Sequence, residues 1–329
     1  MLKIGLLGVG HLGTIHLRCI REISAYELIG FYDPDKEKSA KIAEEYGLTR
    51  FSSEMELMRA VDVIDIVTPT IYHHRLAKQA IKMGKHLFIE KPLTHTLPEA
   101  KELLELAEKT NLKIQVGHVE RFNPAMLTLK DTPLHPMFIE AHRLAAFNPR
   151  GTDVSVILDL MIHDLDIVLS LVPSKVNFIS ASGVSVVSNT PDIANARIEF
   201  ENGCVANLTA SRISMKQMRK LRLFQKDAYI SLDFLDKQAQ IVRLYNKGAT
   251  DIPVDVPMLE LETNSGTKMI HVEMPESEPV NAIKMELEAL AESIQKDIET
   301  PVGIEDGYLA LEVAHQIIQQ IEERTETFI

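Results

Sequence analysis

Leu2-Lys3-Ile4-Gly5-Leu6-Leu7-Gly8-Val9-Gly10-His11-Leu12-Gly13 decides how this chain is read. Its apolar run from Leu2 to Leu7 reads as a short strand, and helical apolar spacing follows as far as Ile23. A G-x-G-x-x-G set alone says little, but here it lies between a strand and a helix, the context its mechanism needs. The first glycine makes the tight turn, the second admits a pyrophosphate to the backbone, and the third lets helix and strand pack closely. The pyrophosphate then meets the positive end of the helix. A second strand, Leu28 to Tyr32, ends in Asp33, twenty residues past Gly13. A carboxylate there accepts both ribose hydroxyls of NAD and repels the 2′-phosphate of NADP. Pro34 and Asp35 bring no arginine to reverse that choice. The competing reading is a set of glycine turns in a non-nucleotide α/β protein, with Asp33 as a helix cap.

Outward from this stretch, strands and helices alternate. Helices are expected over 35–46, 54–60, 73–83 and 97–110, with strands over 63–67, 86–89 and 113–116. That alternation predicts a doubly wound parallel sheet, with Gly8, Asp33, Thr68, Glu90 and Gly117 along one edge. Phe88-Ile89-Glu90-Lys91-Pro92 sets a lysine where a parallel strand ends, the edge at which such folds bind ligands. The alternative is a surface lysine in a turn.

From Met137 the pattern changes to strands, over 138–144, 176–186, 194–200, 205–211, 221–224, 229–233 and 240–245. Glu201-Asn202-Gly203 is a hairpin signal, so this half predicts a large, mostly antiparallel sheet with one open face. Residues 251–278 read as an edge strand and loops, and 281–298 and 304–323 as amphipathic helices. The fold class expected is α/β: a Rossmann-like domain over 1–121, then an α+β domain over 122–329 for substrate binding and oligomerisation.

Ser155 to Leu171 is almost wholly apolar, yet Asp159, His163 and Asp166 stand at i, i+4 and i+7. On a regular helix they form one polar stripe, and a buried polar stripe requires a partner or a cleft. Asp159 is then placed to fix the tautomer and raise the basicity of His163.

Length and composition bound the class. The 329 residues suffice for two domains, and 45% hydrophobic with 25% charged residues is ordinary for a globular protein. A net charge of −12 disfavours nucleic acid or an anionic membrane as partner. Cys19 and Cys204 form no framework, which suits a reducing cytoplasm. No apolar run is long enough to span a bilayer, and residues 1–13 read as a strand, not a signal peptide. Neither His73 with His74 nor His135 with His142 has further ligands in pattern, so no metal is expected. Arg212, Lys216, Arg219, Lys220 and Arg222 make a basic cluster, read as a solvated strand end, a subunit contact or a phosphate grip.

Gly8-x-Gly10-x-x-Gly13, Thr68-Pro69-x-x-x-His73, Gly84-Lys85-His86 and Glu90-Lys91-Pro92 together resemble the Gfo/Idh/MocA oxidoreductases. The segment Gly117-His118-Val119-Glu120-Arg121-Phe122 is similar to that family's Gly-x-x-x-Arg-Phe crossover. The resemblance implies an NAD-dependent dehydrogenase acting on CH–OH groups, with Lys91, Asp159 and His163 as its catalytic set. It implies cofactor contacts from Gly8, Gly10, His11, Leu12, Gly13, Asp33, Thr68, Pro69, His73, Glu90, Lys91 and His118. Substrate contacts are expected from Lys91, Arg121, Asn123, Arg143, Asp159 and His163, though an inter-domain ion pair is an equal reading of Arg121. A cis bond at Lys91–Pro92 and a homodimer or homotetramer through the open sheet face are implied as well. Residues 117–124 and 159–164 look most like the branch that oxidises C3 of UDP-N-acetylglucosamine. A dehydrogenase of a free sugar, polyol or inositol and a non-catalytic NAD-bound sensor are the alternatives.

Overall fold

The structure, a computed structural model, describes residues 1–148, 154–249, 252, 256–264 and 266–327. In chain order the first elements are β1 (Leu2–Leu7), α1 (His11–Arg21), β2 (Tyr26–Tyr32), α2 (Lys36–Tyr46), β3 (Thr49–Arg50), α3 (Glu54–Ala60) and β4 (Val63–Ile66). Next come α4 (His73–Lys82), β5 (His86–Glu90), α5 (Leu97–Ala107), β6 (Ile114–Gly117), α6 (Pro124–Leu127), β7 (Phe138–Leu144) and α7 (Ile162–Leu171). Strands β8 (Val176–Val184), β9 (Ile193–Phe200), β10 (Val205–Ser211), β11 (Met218–Phe224), β12 (Ala228–Asp233), β13 (Gln238–Asn246), β14 (Leu259–Thr263) and β15 (Gly266–Glu273) follow. Helices α8 (Ala282–Lys296) and α9 (Ile304–Thr327) close the chain. Two compact units result: Met1–Phe122 with Asn281–Glu312, and Asn123–Val280 with the chain from Val313 on.

In the first unit six parallel strands lie in the order β3-β2-β1-β4-β5-β6. Covered on both faces, such strands form near-continuous apolar runs. Val63, Ile64, Leu87, Phe88 and Ile89 accordingly have no exposed surface. Local chemistry sets the helix starts. Asp35 caps α2 by accepting the Lys38 amide at 3.0 Å, and Thr96 with Glu99 forms a capping box on α5.

The expected single boundary after Arg121 omits a return of the chain, because α8 and the start of α9 cluster with the first unit. The cause is the apolar face of α8. Leu287, Leu290 and Ala291 pack with Ile4, Cys19, Ile20, Val63 and Phe88. Burying each leucine contributes about 1.5–3 kcal/mol. Tyr26 reinforces the join by donating its hydroxyl to the Leu287 carbonyl at 3.0 Å.

The second unit is a nine-stranded sheet in the order β14-β15-β13-β12-β11-β7-β10-β9-β8. Every neighbouring pair is antiparallel except β7 with β10. Burial alternates along the central strands, so one face packs into the core beneath α7 and the other stays open. Residues 251–278 hold two strands, β14 and β15, where one edge strand was expected; residues 251, 253–255 and 265 of that stretch lie outside the described residues. The β8 edge does not leave its backbone unpaired. On α9, Gln320 accepts from the Ala181 amide at 2.9 Å and donates to the Ile179 carbonyl at 2.7 Å, while Arg324 donates to the Ala181 carbonyl at 2.7 Å. Covering these groups leaves less of the edge free to template pairing with another chain.

Candidate active site

The glycine loop has the shape of a phosphate cradle. Gly8 sits at φ +92°, where a Cβ would meet the Val67 carbonyl oxygen at 2.9 Å. A Cβ on Gly13 would lie 2.1 Å from the Gly8 oxygen, so helix and strand can approach this closely only without one. Gly10 caps α1 with no side-chain hydrogen bond, and the first turn carries no acid, leaving the helix's positive end unopposed. Asp33 is buried at the end of β2, its two oxygens accepting the Val9 and Asp35 amides at 2.9 Å each. The carboxylate is thereby aimed at the loop before any ligand arrives, and each oxygen keeps a second acceptor position for a ribose hydroxyl. His11 and Leu12 stand exposed at the start of α1. These features fit a dinucleotide. Lys38, not singled out from the sequence, brings its amine to 3.8 Å from where a Gly10 side chain would begin, a positive charge beside the pyrophosphate position.

After β4 and β5 the chain forms two turns joined by one side chain. Buried His73 lies between carbonyls, Nε2 at 2.8 Å from the Thr68 oxygen and Nδ1 at 3.0 Å from the Pro92 oxygen. Burial pushes the imidazole below its ordinary pKa, against the pull of those carbonyls. Being neutral, it donates to one carbonyl at a time. The Thr68-Pro69-x-x-x-His73 and Glu90-Lys91-Pro92 segments are thus a single assembly, and the Lys91–Pro92 bond is cis. Glu90 accepts the Lys91 amide at 3.1 Å and occupies the space a Gly117 side chain would need, 2.9 Å from its Cβ position. Behind it stands His16, with Nδ1 at 3.0 Å from Asp65 and Nε2 at 3.1 Å from Glu90. Burial would raise the Glu90 carboxyl, but bonding and charge from His16, then Lys91, outweigh it and hold the group below its ordinary value. The sequence reading passed over His16, which lies three residues beyond the glycine motif inside the apolar spacing of α1.

Past β6, His118 is buried and its amide donates to the Val116 carbonyl at 2.8 Å. Arg121 pairs with Asp306 on α9 at 3.1 Å, so the expected ion pair exists, but within one unit. Asn123, expected at the substrate, caps α6 through the Ala125 amide at 3.0 Å and donates to the Phe234 carbonyl at 3.1 Å.

In the second unit the 155–171 segment differs from a regular helix. Residues Ile157–Met161 form a π-helical turn before α7 begins at Ile162. A π turn holds more residues than an α turn, so the 3.6-residue period from which the stripe of Asp159, His163 and Asp166 was argued is not kept on the Asp159 side of α7. Asp159 and His163 are half-buried, whereas Asp166 is buried. Single π turns of this kind occur often at functional sites. Arg143, also expected at the substrate, is 2% exposed and grips Asp164, with Nη2 at 2.8 Å from Oδ1 and Nε at 3.1 Å from both oxygens. Its fork braces α7 against β7.

The basic cluster is largely neutralised. Lys220 pairs with Asp233 at 3.2 Å and Arg222 with Glu140 at 3.4 Å; Lys216 and Arg219 remain exposed. Arg212 is buried, donating to the Val154 and Pro191 carbonyls beside Asp192. Burial works against the Asp192 carboxylate, but bonds from the Val187, Val186 and Ser188 amides and the Ser188 hydroxyl prevail and hold its pKa at about 2. A carboxyl depressed on folding contributes stability above its unfolded pKa of about 3.9, and that stability is lost as pH falls toward the folded value. Asp192→Asn is expected to lower stability at pH 7 by about 1–3 kcal/mol. It should also flatten the decline in melting temperature below about pH 4. Parallel acid melting curves for the two proteins would refute this assignment.

Two family models match the chain. One, described as an oxidoreductase family, NAD-binding Rossmann fold, covers residues 2–118, and its C-terminal alpha/beta domain partner covers residues 148–327. The UDP-N-acetylglucosamine 3-dehydrogenase of Acidithiobacillus ferrooxidans is 40% identical over 77% of this chain and 79% of that protein. Its crystal structure superposes with a TM-score of 0.87, covering 98% of both chains at 32% identity over that longer span. A scyllo-inositol 2-dehydrogenase (NAD(+)) of Bacillus subtilis is 29% identical over 64% of this chain and 68% of that protein.

Proposed function

Because the chain belongs to the Gfo/Idh/MocA oxidoreductase family, we propose that it oxidises C3 of a nucleotide sugar, UDP-N-acetylglucosamine or a close analogue, with NAD. The similarity to UDP-N-acetylglucosamine 3-dehydrogenase, which extends through both units, carries the choice of substrate. Asp33, already held by the Val9 amide, supports NAD over NADP, since a 2′-phosphate would meet its negative charge. The two cysteines are buried and free, in keeping with a reducing compartment such as the cytoplasm.

When bound, NAD supplies the hydride acceptor. The protein's part is to bind, orient and move a proton. The backbone amides at the start of α1 hold the pyrophosphate, and Gly10, with only the Lys38 amine near where a side chain would begin, lets it approach. His11, Leu12, Thr68, Pro69, His73 and His118 complete the cofactor contacts. Lys91, its backbone fixed by Glu90 and the cis proline, offers positive charge to the alkoxide that develops as the hydroxyl proton leaves and that becomes the ketone as the C3–H hydride departs. His163 removes the hydroxyl proton, and Asp159 in the π turn orients it. Arg121 supplements substrate binding, while Arg143 and Asn123 act from behind by holding α7 and α6. Subunits associate through the open sheet face, where Phe138, Phe224 and Tyr229 on three adjacent strands form an outward aromatic group with centroids 5.8 and 5.1 Å apart.

The test is NADH formation with UDP-N-acetylglucosamine, its uronic acid analogue, glucose and inositol, with an aminotransferase coupled to draw off the keto product. A rise with one UDP-sugar, lost in Lys91→Ala, is the expected result. A rise with inositol or glucose alone would refute the nucleotide-sugar assignment. No turnover with any substrate, alongside a Lys91-dependent interaction with a partner protein, would replace the enzyme by a sensor.

A further inference from the structure

Glu286 is a fully buried carboxyl on α8 whose two oxygens have no hydrogen-bond partner. An oxygen of Glu286, an oxygen of Glu90 and a ring nitrogen of His16 all lie within 4.8 Å of one another. The titratable or charged groups on the elements packed around Glu286 are His16 and Cys19 on α1, Tyr26 on β2, Asp65 on β4, Glu90 with Lys91 at β5, and Glu120 and Arg121 in the turn past β6. Gln115 of β6, uncharged, donates to the Glu286 backbone carbonyl. A dry carboxylate in such company must gain a proton or a cation, since a bare buried charge costs several kcal/mol.

The geometry decides against a cation. His16 points Nδ1 at Asp65 and Nε2 at Glu90, at 3.0 and 3.1 Å. With Nδ1 bonded to Asp65 and Nε2 beside the Glu90 carboxylate, though not in hydrogen-bond geometry, the two negative neighbours favour the imidazolium, which has no lone pair for a metal. Its one positive charge already faces two carboxylates, and a third ionised oxygen pair would meet uncompensated repulsion from Glu90.

We propose that Glu286 retains a proton and donates it toward the Glu90 carboxylate, across a gap of at most 4.8 Å that one water can bridge, and so serves as a positioning residue for the Glu90-Lys91-Pro92 turn. Burial, then the Glu90 charge, drive the Glu286 carboxyl well above its ordinary pKa, while Asp65 and Glu90 drive His16 upward against burial. The Glu90 oxygens are thereby held on three sides, by His16, by the Lys91 amide and by Glu286. Deprotonation of Glu286 repels Glu90 and frees the backbone beneath Lys91. Only this last consequence rests on the dehydrogenase reading; the proton assignment does not.

A carboxyl raised on folding contributes stability fully present below its unfolded pKa of about 4.3, and that stability is lost as pH rises toward the folded value. Glu286→Gln keeps a donor of the same shape and cannot titrate. Its melting temperature should fall between about pH 5 and 9 with roughly half the wild-type slope or less. In the same variant the ratio of kcat at pH 9 to kcat at pH 7 should rise toward one, whereas Glu286→Ala should lose that protection. The infrared carbonyl band of a protonated carboxyl, present in the wild type at pH 7 and absent from the variant, reports the proton directly. Equal melting slopes, no such band in the wild type, or a stoichiometric divalent metal in the purified protein would overturn the proposal. If Glu286→Gln does not fold, the wild-type band and its pH titration decide alone. A flattened stability profile in a protein that oxidises no sugar would sustain the proton and refute the dehydrogenase.

Discussion

His163→Gln should lower kcat for the nucleotide sugar by about 10²–10⁴-fold, the usual contribution of a positioned general base. NAD affinity should stay within a few-fold, because the NAD-binding family model ends at residue 118 and His163 belongs to the second unit. The two effects separate chemistry from cofactor binding, as a uniform loss of affinity would not. The acidic limb of the rate profile should disappear with the imidazole, the group proposed to take the hydroxyl proton. Equilibrium titration of NAD and steady-state kinetics over pH would check both halves. A tenfold loss or less, with the pH profile unchanged, would remove His163 from the catalytic role.

Arg143→Met is expected to cost the second unit about 3–5 kcal/mol, with activity lost only through unfolding. The reason is asymmetry. Asp164 is 3% exposed, and removing Arg143 takes a bidentate, charge-matched partner from a carboxylate in the core. For a unit of this size the melting temperature should drop by roughly 10 °C. The double variant Arg143→Met, Asp164→Leu should recover most of the loss, because a packed apolar pair is often as stable as the ion pair it replaces. Urea denaturation of the three proteins measures it. A single variant within about 1 kcal/mol of wild type would show that the fork does not brace α7.

Nearest-neighbour chemistry accounts for what could be read directly. β7 and β10 match the sequence expectation at both ends, because alternate apolar residues over a half-buried strand leave one register. The glycine loop was equally legible, since its spacing between a strand and a helix is itself a local pattern. β3, with two residues, was too short to show a period. The π turn was hidden because extra residues in a turn leave the apolar content unchanged. Nothing in the sequence signals that Asp164, 21 residues on, takes the Arg143 guanidinium, because the pairing is made across β7 and α7.

The sequence by itself determined the strand–glycine–helix unit, the alternation that makes a parallel sheet, Asp33 at its edge and the lysine before a cis proline. The first three follow from local propensity and periodicity, and the cis bond from the family resemblance of the Glu90-Lys91-Pro92 segment. Only the tertiary structure decided what stands behind Glu90. His16, Asp65, Glu90 and Glu286 come from α1, β4, β5 and α8, and 196 residues separate Glu90 from Glu286. Folding removes water from all four at once, and in that dry setting their charges fix one another. No one-dimensional pattern records such an encounter, because each residue lies in an otherwise ordinary helix or strand.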